Sequence, residues 1–117
     1  MTYLMYGIRN CDTVRKARAW LEAQGIDYEF HDFQRSGVER ELLERWCREL
    51  GWERVLNRAG TSFRKLAEAD KQDLDADKAI DLMLAQPSMI KRPVLRTGRR
   101  WVIGFAPERY AEVLKAR

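Results

Sequence analysis

Thr2-Tyr3-Leu4-Met5-Tyr6-Gly7-Ile8-Arg9-Asn10-Cys11-Asp12 begins as a short aromatic and apolar run and passes, at a glycine, into a polar loop that carries a cysteine. Thr2 to Tyr6 reads as a buried strand, and Gly7 to Cys11 as the loop that leaves it. From Asp12 to Gln24 the residues Val14, Ala17, Arg18 (by its aliphatic stem), Leu21 and Ala23 recur at helical spacing. Gly25 then stands where a helix-ending glycine belongs. Asp27 to Phe33 alternates over its first half and has strand propensity, so strand, helix and strand make a βαβ unit.

Past Arg35-Ser36-Gly37 the texture changes. Val38, Leu42, Leu43, Trp46, Cys47 and Leu50 form an apolar stripe that ends at Gly51, the mark of an amphipathic helix. Shorter helical segments follow at Glu53 to Asn57 and Ser62 to Ala69, and a longer one from about Asp75 to Ala85. The chain then returns to strands: Pro93 to Arg96 and Arg100 to Ile103 flank Thr97-Gly98-Arg99, which has hairpin turn chemistry. A last helix is expected from Pro107 to Lys115, with proline where its missing N–H does no harm. The predicted order is β-α-β, an all-helical insertion over about 38–87, then β-β-α, an α/β fold.

The 117 residues suit one domain, 1–117, by the usual prior of about 100 to 200 residues per domain. Apolar residues make up 45%, enough for a modest core, which argues against a disordered chain. No apolar run approaches the roughly 18 residues a membrane span needs, and the first residues lack the pattern of a secretory signal. The expectation is a cytoplasmic protein. The net charge of +4 is unevenly spread, because residues 88–117 hold eight basic and two acidic side chains. That surplus suggests an anionic ligand near the C-terminal segment.

Two cysteines and one histidine make neither a disulfide framework nor a structural zinc site. Cys11 falls between a buried strand and the first turn of a helix, where unpaired N–H groups and the positive dipole end stabilise a thiolate. Arg9, Arg15 and Lys16 act in the same direction and Asp12 opposes them. The alternative is an inert small residue at a strand end. Cys47 shares a helix face with Leu43, Trp46 and Leu50 and reads as a packed hydrophobe. Position 14 is Val, so no Cys-x-x-Cys disulfide can form, and an adduct on Cys11 must be released by an outside thiol, for which glutathione is the abundant candidate. Position 17 is Ala, which removes the Cys-x5-Arg loop of a tyrosine phosphatase. His31 lies in a strand beside Asp32, a poor placement for a Cys-His pair. Arg92 and Arg58 are candidates for a two-pronged contact to a carboxylate or oxyanion, or else solvated surface charges. Pro93, at a strand start behind a basic pair, is compatible with a cis bond. The aromatic residues do not interleave with basic ones along a stripe, so nucleic acid is not an expected partner.

Tyr6-Gly7 followed by Asn10-Cys11-Asp12-Thr13-Val14-Arg15-Lys16-Ala17, Leu56-Asn57-Arg58 with Thr61-Ser62-Phe63-Arg64, Ile90-Lys91-Arg92-Pro93 and Ile103-Gly104-Phe105 together resemble the ArsC/Spx family, and within it the YffB-type branch. The resemblance spans nearly the whole chain. It implies a thioredoxin-like four-stranded mixed sheet interrupted by a helical insertion, Cys11 as nucleophile, Arg58 and Arg92 where arsenate reductases of this class hold the oxyanion, and Pro93 as the cis-proline of the fold. Those reductases have a third arginine just before the proline of the last helix, and this chain has Ala106 there, which speaks against arsenate but not against glutathione-linked thiol chemistry.

The expected function is a glutathione-dependent thiol oxidoreductase acting on a small oxidised thiol or oxyanion, with glutathione as co-substrate and no metal or organic prosthetic group. Asn10 and Thr13 are expected to donate hydrogen bonds to the sulfur, and Arg15, Arg58, Arg92 and Pro93 to complete the substrate and glutathione site. A monomer is expected. The competing expectation, from the Spx branch, is a regulator or adaptor that contacts RNA polymerase without catalysis. Many members of that branch carry a Cys-x-x-Cys switch, which Val14 removes here.

Overall fold

The computed structural model describes residues 3 to 115. Thr2, assigned above to the first strand, lies outside them. The chain divides into two compact units, one from the described parts of Met1–Ser36 and Arg92–Arg117, the other Gly37–Lys91.

The first unit contains the sheet. Strands β1 (Tyr3–Gly7), β2 (Tyr28–Asp32), β3 (Val94–Thr97) and β4 (Arg100–Ile103) lie in the order β2-β1-β3-β4. β1 and β2 run parallel, with Tyr3 opposite Tyr28 and Gly7 opposite Asp32, while β1–β3 and β3–β4 are antiparallel. This is the mixed, thioredoxin-like sheet of the expected fold class. The parallel pair needs a crossover, and α1 (Asp12–Ala23) supplies it. The antiparallel pair β3–β4 needs only the two-residue turn Gly98-Arg99.

Helix α1 forms where the apolar spacing places it and buries Val14, Ala17 and Leu21. It ends in a Schellman arrangement: the Ile26 N–H donates to the Leu21 carbonyl (3.0 Å) and the Gly25 N–H to the Glu22 carbonyl (3.1 Å). Gly25 has φ +69°, the left-handed conformation that this ending requires and that a side chain would strain. Against α1 pack Tyr3, Met5, Leu95 and Val102 of the sheet and Tyr110 and Leu114 of the last helix, α7 (Pro107–Lys115), in one buried cluster.

Between β2 and Gly37 a single helical turn, α2 (Phe33–Ser36), buries Phe33. Phe33, expected as the last residue of the strand, belongs to this turn instead. Asp32 ends the strand because its carboxylate takes the N–H groups of Gln34 and Arg35 at 3.0 and 3.3 Å, turning the backbone into a helical start.

The second unit is helical, with α3 (Arg40–Leu50), α4 (Trp52–Val55), α5 (Thr61–Arg64) and α6 (Ala76–Ala85), plus single 3₁₀ turns at Glu68–Lys71 and Pro87–Met89. Ser62 to Ala69, expected as one segment, is broken into a helical turn and a separate 3₁₀ turn, because only Phe63 of that stretch is buried and little tertiary packing sustains a longer helix. Asp75 caps α6, accepting the Lys78 N–H at 2.8 Å. Leu43, Trp46, Val55, Leu56, Ile80, Met83 and Ile90 of this unit are buried. Among the described residues no helix is long and apolar enough to cross a membrane.

Candidate active site

Cys11 is the N-cap of α1, with extended backbone (φ −139°, ψ 127°). Two features of the sequence put it there. Gly7 allows close approach of β1 to the first turn of α1: a Cβ at that position would lie 3.0 Å from Cγ2 of Val14. Val14 in turn is fully buried in the cluster that Cys11 flanks, so the helix start is held by packing. The Arg15 N–H donates to the Cys11 carbonyl at 2.8 Å and closes the first turn.

The thiol of Cys11 is half-buried, and this burial raises its pKa. Opposing effects outweigh it: the Val14 N–H, a hydrogen bond from the Arg92 side chain and its positive charge, and the Thr13 N–H. The net result is a thiol more acidic than an ordinary cysteine. Cys47 is the reverse case, a half-buried thiol whose pKa burial pushes up.

The cation that strengthens the acid is thus Arg92, from the segment before β3, and not the neighbours in sequence. Arg9 lies over the Phe30 ring at 5.7 Å. The Arg15 guanidinium donates to Asp12 Oδ1 at 2.6 Å and to Asn10 Oδ1, spanning the two residues that flank the cysteine. That pairing balances the Asp12 carboxylate, the one charge expected to oppose a thiolate. Asn10 is engaged through its oxygen with Arg15, and Thr13 acts on the sulfur through its backbone amide.

The Arg92–Pro93 peptide is cis, and Pro93 is buried. His31 faces Tyr6 across the parallel pair, ring centroids 5.3 Å apart. Ala106 precedes α7, and its carbonyl accepts the Tyr110 N–H at 3.0 Å. In the second unit, Arg58 is exposed and its guanidinium lies over the Trp52 ring, 5.6 Å from the centroid. The segment before it is pinned by the Asn57 N–H on the Met89 carbonyl and by a β-bridge between Leu56 and Ile90.

Sequence reasoning missed Asp32. One oxygen, Oδ2, accepts the Arg9 N–H at 3.1 Å, and the other accepts those of Gln34 and Arg35. Burial opposes ionisation of this carboxyl, but the three amides and the Arg9 charge prevail and hold it below the usual range. The available signal was an aspartate followed by Phe-Gln-Arg, an N-cap pattern for a helix too short to show periodicity.

A family model described as the ArsC family matches residues 6–113. The chain belongs to the ArsC family. Among members with solved structures, a YffB protein is 61% identical, with a TM-score of 0.93 over 96% of this chain and 98% of that one. An arsenate reductase (ArsC) related protein from Brucella melitensis is 51% identical, with a TM-score of 0.79 over 98% and 96% of the two chains. The global transcriptional regulator Spx of Streptococcus pyogenes is 33% identical over 98 residues, which cover 82% of this chain and 72% of that protein. These likenesses bear out the ArsC/Spx resemblance.

Proposed function

We propose that this ArsC-family protein is a glutathione-dependent monothiol oxidoreductase with Cys11 as its nucleophile. The observation that carries this reading is the acidic thiol at the start of α1, acted on by the Val14 and Thr13 amides and by Arg92. Its similarity to the arsenate reductase related protein of Brucella melitensis supports the same class of chemistry.

For a substrate that is a mixed disulfide of glutathione, the Cys11 thiolate attacks the glutathione sulfur. A bond from Cys11 Sγ to glutathione forms, the original S–S bond breaks, and the substrate leaves as a thiolate that takes a proton. A second glutathione thiolate then attacks the adduct, restoring the Cys11 thiolate and releasing glutathione disulfide. The net change is a disulfide exchange: the substrate sulfur goes from disulfide to thiol, one reduced glutathione is consumed, and its sulfur joins the glutathione already in the mixed disulfide as glutathione disulfide. Val14 at the third position after Cys11 leaves this external thiol as the means of release.

Arg92 serves both the thiolate and an anionic substrate in this scheme, and Pro93 completes the site by family analogy. Arg15, with Asn10 and Asp12, shapes the loop beside the sulfur. An oxyanion substrate uses the same nucleophile, although Ala106 leaves one fewer cation for arsenate. The reading places the protein in the cytoplasm, where the glutathione pool is reducing.

A second reading has a specific observation in its favour, the 33% identity to Spx, and under it the chain contacts RNA polymerase without chemistry. Intact-mass analysis after exposure to glutathione disulfide separates the two. The enzyme reading predicts one added glutathione, mapped to Cys11; an unmodified protein, or equal labelling of Cys47, contradicts it.

A further inference from the structure

We propose that Asp32 is a positioning residue for Cys11, its two carboxylate oxygens tying the loop that carries the thiol to the first turn of α2. The inference rests on Cys11 being the nucleophile.

β1 and β2 end side by side, with Gly7 opposite Asp32. Beyond that pair the two chains diverge, one into the cysteine loop and the other into α2. Arg9 stands two residues past the end of β1, where the parallel ladder has stopped. Its N–H is taken instead by Asp32 Oδ2 at 3.1 Å, while Oδ1 holds the Gln34 and Arg35 amides. The far side of the loop is held by Arg15, through its N–H on the Cys11 carbonyl and its guanidinium on Asn10 and Asp12. Asp32 is the matching tether on the near side.

Position matters here because the sulfur is stabilised by direction as much as by charge. Whether Sγ lies toward the Thr13 and Val14 amides depends on the Cys11 backbone, and a loop free to rotate about Arg9 and Asn10 swings the sulfur away from them. The ionised carboxylate suits this work, since it accepts with both oxygens and donates with neither.

Asparagine separates the two jobs. It caps a helix start as well as aspartate does, so its oxygen keeps the α2 turn, but its amide group then presents a donor to the Arg9 N–H. Serine likewise caps α2 and is too short to reach Arg9. Charge alone predicts the opposite sign, because removing a nearby carboxylate favours the Cys11 thiolate.

The test is the rate of Cys11 alkylation by iodoacetamide against pH in Cys47→Ser protein, alone and with Asp32→Asn or Asp32→Ser, with thermal unfolding recorded for each. The proposal predicts that both variants stay folded, that the thiol inflection moves to higher pH, and that the rate at neutral pH falls about threefold or more. An inflection that stays in place or moves down in both overturns it. An ordinary inflection in the protein with Asp32 intact instead contradicts the nucleophile reading, so the two failures are distinguishable.

Discussion

Cys11→Ser removes thiol–disulfide turnover, with initial rates of deglutathionylation falling about a thousandfold or more, because a serine hydroxyl does not ionise near neutrality and forms no disulfide. The fold survives, since Cys11 is half-buried and serine is itself a good residue at a helix start. Cys47→Ser retains most of the rate, because burial pushes that thiol's pKa up and keeps it protonated. The comparison is made with a small mixed disulfide of glutathione as substrate and glutathione as reductant. Equal losses in the two variants contradict the assignment of the nucleophile.

Tyr110→Ala has the largest expected effect on stability. The ring is fully buried and packs edge-on against Trp20 of α1 and Phe105, at centroid distances of 5.7 and 4.9 Å. Its hydroxyl donates to the Gly104 carbonyl at 3.2 Å. Truncating a buried aromatic ring costs about 3–5 kcal/mol, a large share of the roughly 5–15 kcal/mol that holds a small protein together. Tyr110→Phe keeps the packing and costs about 1 kcal/mol for the lost hydrogen bond. Urea unfolding at neutral pH measures both, and equal costs contradict the packing account.

Tyr110 also gives stability an alkaline limit. Burial raises its phenol well above the ordinary value of about 10. Below that value both folded and unfolded states are neutral and the contribution is fully present. Above it the unfolded state ionises first and stability falls, a loss that Tyr110→Phe lacks.

The order of strands and helices along the chain was readable because its signals are local: alternating or continuous apolar runs, glycine and proline between them, and a helix long enough to show its period. Cys11 was readable for the same reason, as a cysteine between a strand and a helix start. The source of its acidity was not. Arg9, Arg15 and Lys16 are near in sequence, but the first turn of α1 directs Arg15 back to Asp12 and Asn10, and Arg9 lies over Phe30. Arg92, which acts on the sulfur, is brought there by the antiparallel pairing of β3 with β1, a contact no local pattern encodes. Asp32 was hidden differently. Its role depends on the register of a parallel strand pair and on a four-residue helix, both below what periodicity can reveal. Ser62 to Ala69 shows the converse, helical texture without enough buried surface to become one helix.

The central claim is tested most directly by titrating the Cys11 thiol through its ultraviolet thiolate absorbance in Cys47→Ser protein, with and without Arg92→Ala. An inflection below the ordinary thiol value of about 8.5 is predicted, moving up when Arg92 is removed. An inflection at or above that value, or one indifferent to Arg92, contradicts the account.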